Sequence, residues 1–207
     1  MKTLFIPTRK KLSLSKKILN SLNNLPSPLS IFYSIQFESQ AKQVKESLAN
    51  SKVNNFSQVL GCASPKVSKD TKAILLIGSG LFHAKSIAIN SSCPVFILEN
   101  NNIIQLKEKD IEDLKKLKKS AYMKFLTEDK IGILISTKPG QQRLSQAMKF
   151  AKSLNKKYYF FISNELSSLE FENFGIKSFV NSACPRMDMA SNSVINIQDL
   201  IKLNFCD

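Results

Sequence analysis

The feature that most constrains this chain is an alternation sustained along its length. Short apolar runs rich in Ile, Val and Phe, such as AILLIG and YYFFI, take turns with stretches whose apolar residues recur at helical spacing. Strand-sized runs followed by amphipathic helices form β/α units, and successive units give a mainly parallel sheet covered by helices. The pattern predicts strands near residues 3–6, 30–35, 73–78, 94–98, 131–136, 158–162, 177–181 and 194–197. It predicts helices near 13–23, 38–49, 83–90, 108–126, 141–154 and 165–171. YYFFI has no polar alternation, as expected of a strand covered on both faces. The long helix near 108–126 separates two groups of strands. The expected fold is therefore α/β, with two similar small domains over residues 1–118 and 119–207, each a mainly parallel sheet of roughly four strands flanked by helices.

A chain of 207 residues can bury a core of this kind. Its longest apolar runs are strand-sized, which excludes a bilayer-spanning helix. The N-terminal stretch MKTLFIPTRKKLSLSKKILNSL is basic and free of acid, in the manner of a transit peptide, but Pro7 and the strand-like TLFI argue for folded structure. A cytoplasmic protein is expected, and in that reducing setting the four cysteines point away from a disulfide framework and towards metal or redox roles. Thirty Lys and Arg against sixteen Asp and Glu leave a net charge of +14. Such a field attracts nucleic acid, acidic protein surfaces or anionic cofactors. The lysines are scattered, however, and the densest run, DLKKLKKSAYMKF, reads as an amphipathic helix with a basic outer face.

Glycine is scarce, and four of the six sit in LGC, GSG and KPGQ at apparent strand or helix ends. Ligands of open parallel sheets bind outside the carboxyl ends of strands, so these loops are natural site walls. In GSGLFHA, Gly78 and Gly80 would let the backbone approach a phosphate or carboxylate at a helix N-terminus. The third glycine of a dinucleotide fingerprint is missing, and His83 stands in its place. His83 is either a packed residue or a base that orients substrate. STKPGQQR also closes a strand and opens a helix: Pro139 and Gly140 make the turn, with Lys138, Gln141 and Arg143 around it. That loop is either a well-made turn with a soluble rim or a site for an anionic or amino-acid group.

No C-x-x-C pair or clustered cysteine spacing occurs, so local cysteine arithmetic assigns no metal. Cys62 in FSQVLGCASP and Cys184 in NSACPR lie in loops, one in each half, where they could meet across a cleft. Cys93, just before a strand, and Cys206, the penultimate residue, read as incidental.

Taken in order, LFIPTR, SIQF, FSQVLGC, GSGLFH, STKPGQQR and FVNSACPR resemble the diphthamide synthase radical-enzyme family, whose members modify a histidine of translation elongation factor 2. The resemblance runs along nearly the whole chain, and QVLGC with NSACPR is its most specific part. It implies similar α/β domains, a 4Fe–4S cluster held by one cysteine from each of three domains, and S-adenosylmethionine as substrate. That molecule is cleaved to a 3-amino-3-carboxypropyl radical. Cys62 matches the middle ligand and Cys184 the last. Cofactor-binding positions implied by the motifs are Gln36, Gly78, Gly80, His83, Lys138, Gly140, Gln141 and Arg186.

The chain departs from the family in three places. The resemblance covers only the family's last two domains, so the first domain and its cysteine are expected to come from elsewhere, Ser79 stands where an acidic residue is commoner, and Ala84 where proline commonly follows the histidine. The expected partners are elongation factor 2 and either a separate first-domain chain or a complete synthase homologue. Membrane and direct nucleic-acid contacts are not expected. A non-catalytic helper of a complete synthase is the second reading, and a basic RNA- or ribosome-binding module the third, although no aromatic RNP run supports it.

Overall fold

The structure, a computed structural model, describes residues 4, 6, 8–10, 13–59, 65–166, 172–189 and 191–203. The chain divides into two compact units, Met1–Glu112 and Asp113–Asp207. The first runs α1 (Lys16–Leu22), β1 (Leu29–Tyr33), α2 (Glu38–Ser47), β2 (Val53–Gln58), β3 (Ala73–Ile77), α3 (Leu81–Ala88), β4 (Val95–Glu99) and β5 (Asn102–Gln105). Helix α4 (Glu108–Thr127) carries the division. The second unit continues with β6 (Lys130–Ser136), α5 (Leu144–Ser153), β7 (Lys157–Ser163), β8 (Ser178–Asn181), β9 (Val194–Asn196) and α6 (Ile197–Lys202).

The predicted fold class is the observed one: two mostly parallel sheets flanked by helices. The first has the order β2-β1-β3-β4-β5, with only β5 antiparallel, and the second the order β7-β6-β8-β9, parallel throughout. Without β5 the two orders are the same, because in each the second strand lies outside the first and the third returns to its other side.

Side chains alternate across each sheet, so each sheet has two cores. In the first unit Ile31, Leu75 and Ile77 pack with Phe37, Ala41 and Val44 on one face, while Phe32, Ile74 and Leu76 pack with Ala84, Ile87 and Ala88 on the other. Each fully buried Ile, Leu, Val or Phe among them contributes about 1.5–3 kcal/mol. In the second unit Ile131, Ile133 and Ile135 meet Ala121 and Phe125 of α4 and Phe150 of α5. The opposite face gathers Leu134, Ile176, Phe179 and Val194. Gly132 belongs to that face: a Cβ there would come within 2.3 Å of the Phe179 ring, so the central strand needs glycine where the aromatic lies flat on it.

Several elements differ from the sequence expectation. Strand β2 lies where the sequence pattern predicts no strand, since Asn54, Asn55 and Ser57 interrupt any apolar run; Asn54 bonds Asp70 and Thr71, and Asn55 the Lys66 carbonyl. Strand β5 folds back on β4 through Asn100 and Asn101, both with positive φ (49° and 58°), the conformation of a tight hairpin turn in which asparagine is favoured. The strand predicted to 197 ends at Asn196, and Ile197 opens α6 instead. YYFFI corrects the expectation of cover on both faces. It forms β7, which among the described residues is an edge strand paired with β6 alone, and Tyr159, Phe160 and Ile162 stay 47%, 40% and 57% exposed. The strand predicted at 3–6 and the helix predicted at 165–171 fall largely outside the described residues.

Candidate functional site

In an open parallel sheet the crevice for a ligand lies where the strand order reverses, outside the carboxyl ends of the two strands that flank the reversal. In the first unit that point lies between β1 and β3. The loop after β1 holds Ser34 and a short 3-10 turn, Ile35–Phe37, which leaves Gln36 exposed. The loop after β3 is Gly78-Ser79-Gly80. The two loops touch: Ser34 N–H donates to the Ile77 carbonyl at 3.2 Å, and a Cβ on Gly78 would meet Ser34 Oγ at 3.6 Å. Gly80 has φ +77° and occupies the N-cap of α3, a conformation open to glycine and costly for other residues. Its N–H donates to Glu99 Oε1 at 3.2 Å, so the helix start is tied to the end of β4. His83 follows in the first turn of α3, half-buried against Phe82 with ring centroids 5.0 Å apart.

In the second unit the reversal lies between β6 and β8. After β6 comes the loop of Lys138, Gly140 and Gln141. Gly140 has φ +79°, and Gln141 N–H closes the turn on the Lys138 carbonyl at 3.0 Å. The turn delays α5 to Leu144, so Lys138, Gln141 and Arg143 precede the helix rather than ride on it. Lys138 Nζ pairs with Glu165 Oε1 at 2.9 Å, and this ammonium with its hydrogen bond holds the Glu165 carboxyl below its ordinary range.

After β8 comes Ser182-Ala183-Cys184-Pro185, and here side chains rather than glycines set the backbone. Ser182 pins the loop to β6 through its N–H and its Oγ, both to the Leu134 carbonyl at 3.0 and 2.8 Å. Asn181, buried, accepts from Ala183 N–H at 2.9 Å and donates to the Cys184 carbonyl at 2.8 Å. The same amide donates to Asn196 Oδ1 at 2.6 Å, and Asn196 donates onward to the Pro185 carbonyl at 3.1 Å. Cys184 is a free thiol, partly buried, at the carboxyl end of β8. Pro185 then opens a 3-10 helix, Pro185–Met189, on which Arg186 is exposed and Asp188 only 2% exposed.

Asp188 anchors that turn. Lys118 Nζ of α4 lies 2.6 Å from Asp188 Oδ2 and 3.0 Å from Asp199 Oδ2, while Asp188 Oδ1 has no hydrogen-bond partner among the described residues. Burial pushes the Asp188 carboxyl above its ordinary range, and the Lys118 charge only partly offsets this. Burial also disfavours the Lys118 ammonium, but Asp188 and then Asp199 outweigh it, so the net shift is upward. The sequence reading missed this triad and both asparagines. The only signal within reach was Asp188, four positions after the cysteine in CPRMD.

Cys62 and Cys206 lie outside the described residues. Cys93 donates its thiol to the Thr71 carbonyl at 2.9 Å, a packing role. No group of three or more His, Cys, Asp or Glu side chains gathers as a metal site among the described residues, which offer Cys184 as the single candidate ligand. A free thiol on a rigid strand end fits one corner of an iron–sulfur cluster. No helix among the described residues is long and apolar enough to cross a membrane. A surface pocket lined by Ser145, Gln146, Lys149, Phe150, Ser153 and Ile201 includes none of these site residues.

The family model of the diphthamide synthesis proteins matches residues 1–194. A 2-(3-amino-3-carboxypropyl)histidine synthase of Pyrococcus horikoshii is 25% identical over 90% of this chain and 59% of its own length. The Methanocaldococcus jannaschii synthase of the same name is 26% identical over 90% of this chain and 56% of its own. Subunit 1 of the Gallus gallus synthase is 24% identical over 80% of this chain and 42% of its own. The chain thus spans roughly two fifths to three fifths of the length of these relatives. The crystal structure of Dph2 from Pyrococcus horikoshii with a 4Fe–4S cluster superimposes with a TM-score of 0.70 over 91% of this chain and 61% of that one, at 23% identity, which shows a shared fold.

Proposed function

The chain belongs to the diphthamide synthesis protein family, and from that membership we propose that it is a component of a 2-(3-amino-3-carboxypropyl)histidine synthase. In this reading it helps to transfer a 3-amino-3-carboxypropyl group from S-adenosylmethionine to a histidine of translation elongation factor 2 in the cytoplasm. Cys62 and Cys184 supply two thiolate ligands of a 4Fe–4S cluster, and a separate first-domain chain supplies the third. When bound, the cluster would provide the electron that breaks a carbon–sulfur bond of the sulfonium substrate.

The chain's own residues do the holding. Cys184 presents its thiol from a loop whose carbonyls and amide are already paired, so little reorganises when a ligand arrives. Lys138, whose ammonium would exchange its exposed Glu165 partner for the carboxylate of the methionyl end, and the left-handed turn at Gly140 suit that group. Gly78 and Gly80, beside Gln36 and His83, give the backbone room to approach the nucleoside. Arg186, exposed two residues after Cys184, adds positive charge on that side.

The observation that carries the proposal is the family match over residues 1–194, which includes both cysteine motifs. It is tested by mixing the chain with the first-domain partner, reductant, S-adenosylmethionine and elongation factor 2, and weighing the factor by mass spectrometry. The expected result is transfer by the mixture, no transfer by the chain alone, and loss of transfer in Cys62→Ala and Cys184→Ala but not in Cys93→Ala. Stable association without transfer would identify a non-catalytic helper instead.

A further inference from the structure

Asn196 occupies the N-cap of α6, a position where asparagine normally accepts a hydrogen bond from the first turn of the helix. Here the side chain makes no such bond. It turns instead to the loop of Cys184: Oδ1 accepts from Asn181 Nδ2, and Nδ2 donates to the Pro185 carbonyl. Asn181 and Asn196 are register partners on β8 and β9, both buried, so the pair forms a rung across the sheet just below the loop. From that rung three bonds reach the backbone of residues 183–185: one at the Ala183 amide, one at the Cys184 carbonyl and one at the Pro185 carbonyl. The Cys184 carbonyl also accepts Met187 N–H at 3.2 Å, which starts the 3-10 turn that Asp188 fastens to Lys118. The loop is thus held on both sides of its cysteine, and most of its ties are made by side chains.

Buried polar groups cost stability unless they are paired, and a helix cap left unmade costs some more. An arrangement that pairs two amides with one another and with the loop, at the expense of the cap, serves the loop. We infer that Asn181 and Asn196, with the Lys118–Asp188 ion pair beyond them, are positioning residues that fix the backbone around Cys184 so that its thiol is presented in one orientation. The inference rests on the reading of Cys184 as a cluster ligand for its purpose, but not for its geometry.

The experiment uses the full chain in its metal-free form and follows alkylation of Cys184 by N-ethylmaleimide, with peptide mapping to separate it from Cys62, Cys93 and Cys206. Asn196→Ser is the informative variant: serine caps helices well, so α6 loses nothing, while the bond to the Pro185 carbonyl and the bond from Asn181 Nδ2 both disappear. The expected outcome is a roughly tenfold faster reaction at Cys184, as the loop opens more often, with the Cys93 rate unchanged and the melting temperature lowered while the chain stays folded. Asn181→Ala should accelerate it further. An unchanged Cys184 rate in folded Asn196→Ser overturns the inference.

A second arm reconstitutes the cluster anaerobically with the partner chain. Altered g-values in the electron paramagnetic resonance spectrum of Asn196→Ser, where Cys184→Ala abolishes the signal, support the positioning role. An unaltered spectrum in Asn196→Ser overturns it. A signal that survives Cys184→Ala overturns the ligand reading instead, and leaves the alkylation result to judge the loop by itself.

Discussion

The loops after β3 and after β8 hold the same place in two sheets of the same strand order, yet they are built in opposite ways. Gly78-Ser79-Gly80 has almost no side chain, takes a positive φ at Gly80, and is tied to the end of β4 by Gly78 N–H on the Leu98 carbonyl and Gly80 N–H on the half-buried Glu99 carboxylate. Ser182-Ala183-Cys184-Pro185 has no glycine and is braced by Ser182, Asn181 and Asn196. In the proposed reading the first design clears space so that something else can approach the backbone, and the second aims one side chain. On that reading a repeated topology sets where a ligand is met, while local residue chemistry decides whether the unit offers a cradle or a pointed group.

The contrast breaks most severely at Lys118. Lys118→Met leaves Asp188 buried without its counter-charge, and at neutral pH this should cost the second unit about 3–5 kcal/mol. Hydrogen exchange read separately in the two units should place the loss in β8 and β9 and leave β1 and β3 protected. The deficit has a pH signature. The folded Asp188 carboxyl titrates above its unfolded value, so the penalty attaches to its charged form, is full above the folded pKa, and is relieved as pH falls through it. The wild-type Lys118 contribution runs the other way: its pKa is raised, so its stabilisation is present below the ordinary lysine range and is lost as pH rises beyond it. A deficit in Lys118→Met that does not shrink in acid would contradict this picture of the anchor.

A smaller effect is expected from Gly80→Ala. Nothing lies within 4 Å of the added methyl, so the cost is backbone strain alone, about 1–2 kcal/mol for a non-glycine residue held in that region. Exchange should quicken in the first turn of α3 and not in the second unit. The smallest effect is expected from Glu99→Ala, which removes the exposed tie to Gly80 N–H and should change global stability by no more than about 0.5 kcal/mol. Measured equality of Glu99→Ala and Asn181→Ala in their own units would erase the distinction between a cradle and a brace.

Much of the fold was legible because buried parallel strands are continuous apolar runs, and AILLI of β3 and KIGILIS of β6 declare themselves. Edges were the failure. Strand β2 is polar because neighbouring side chains and a loop carbonyl pair with it, and β7 is apolar although it is an edge, so the same signal misled in both directions. For the site, glycine and proline marked the loops after β3, β6 and β8, since unusual backbone demands unusual residues. The braces were not visible. Lys118 and Asp199 are 81 positions apart, and nothing in the spacing of an amphipathic helix marks which of its lysines faces inward. Asn181 and Asn196 looked like strand ends, and only the register of β8 on β9 makes them one unit.

Strand β7 also governs how this protein behaves as a colloid. Among the described residues no strand lies beside its outer backbone N–H and C=O groups, and Tyr159, Phe160 and Ile162 border that row with apolar surface. Such an edge accepts any extended chain that drifts alongside, including a partly unfolded copy of itself. In the first unit the equivalent β2 is guarded by Lys45 over Phe56 and by Asn54 and Asn55. The +14 charge holds copies apart at low ionic strength, but salt shortens its range, so concentrated stocks in high-salt buffer are where turbidity should begin, with β7 as its seed.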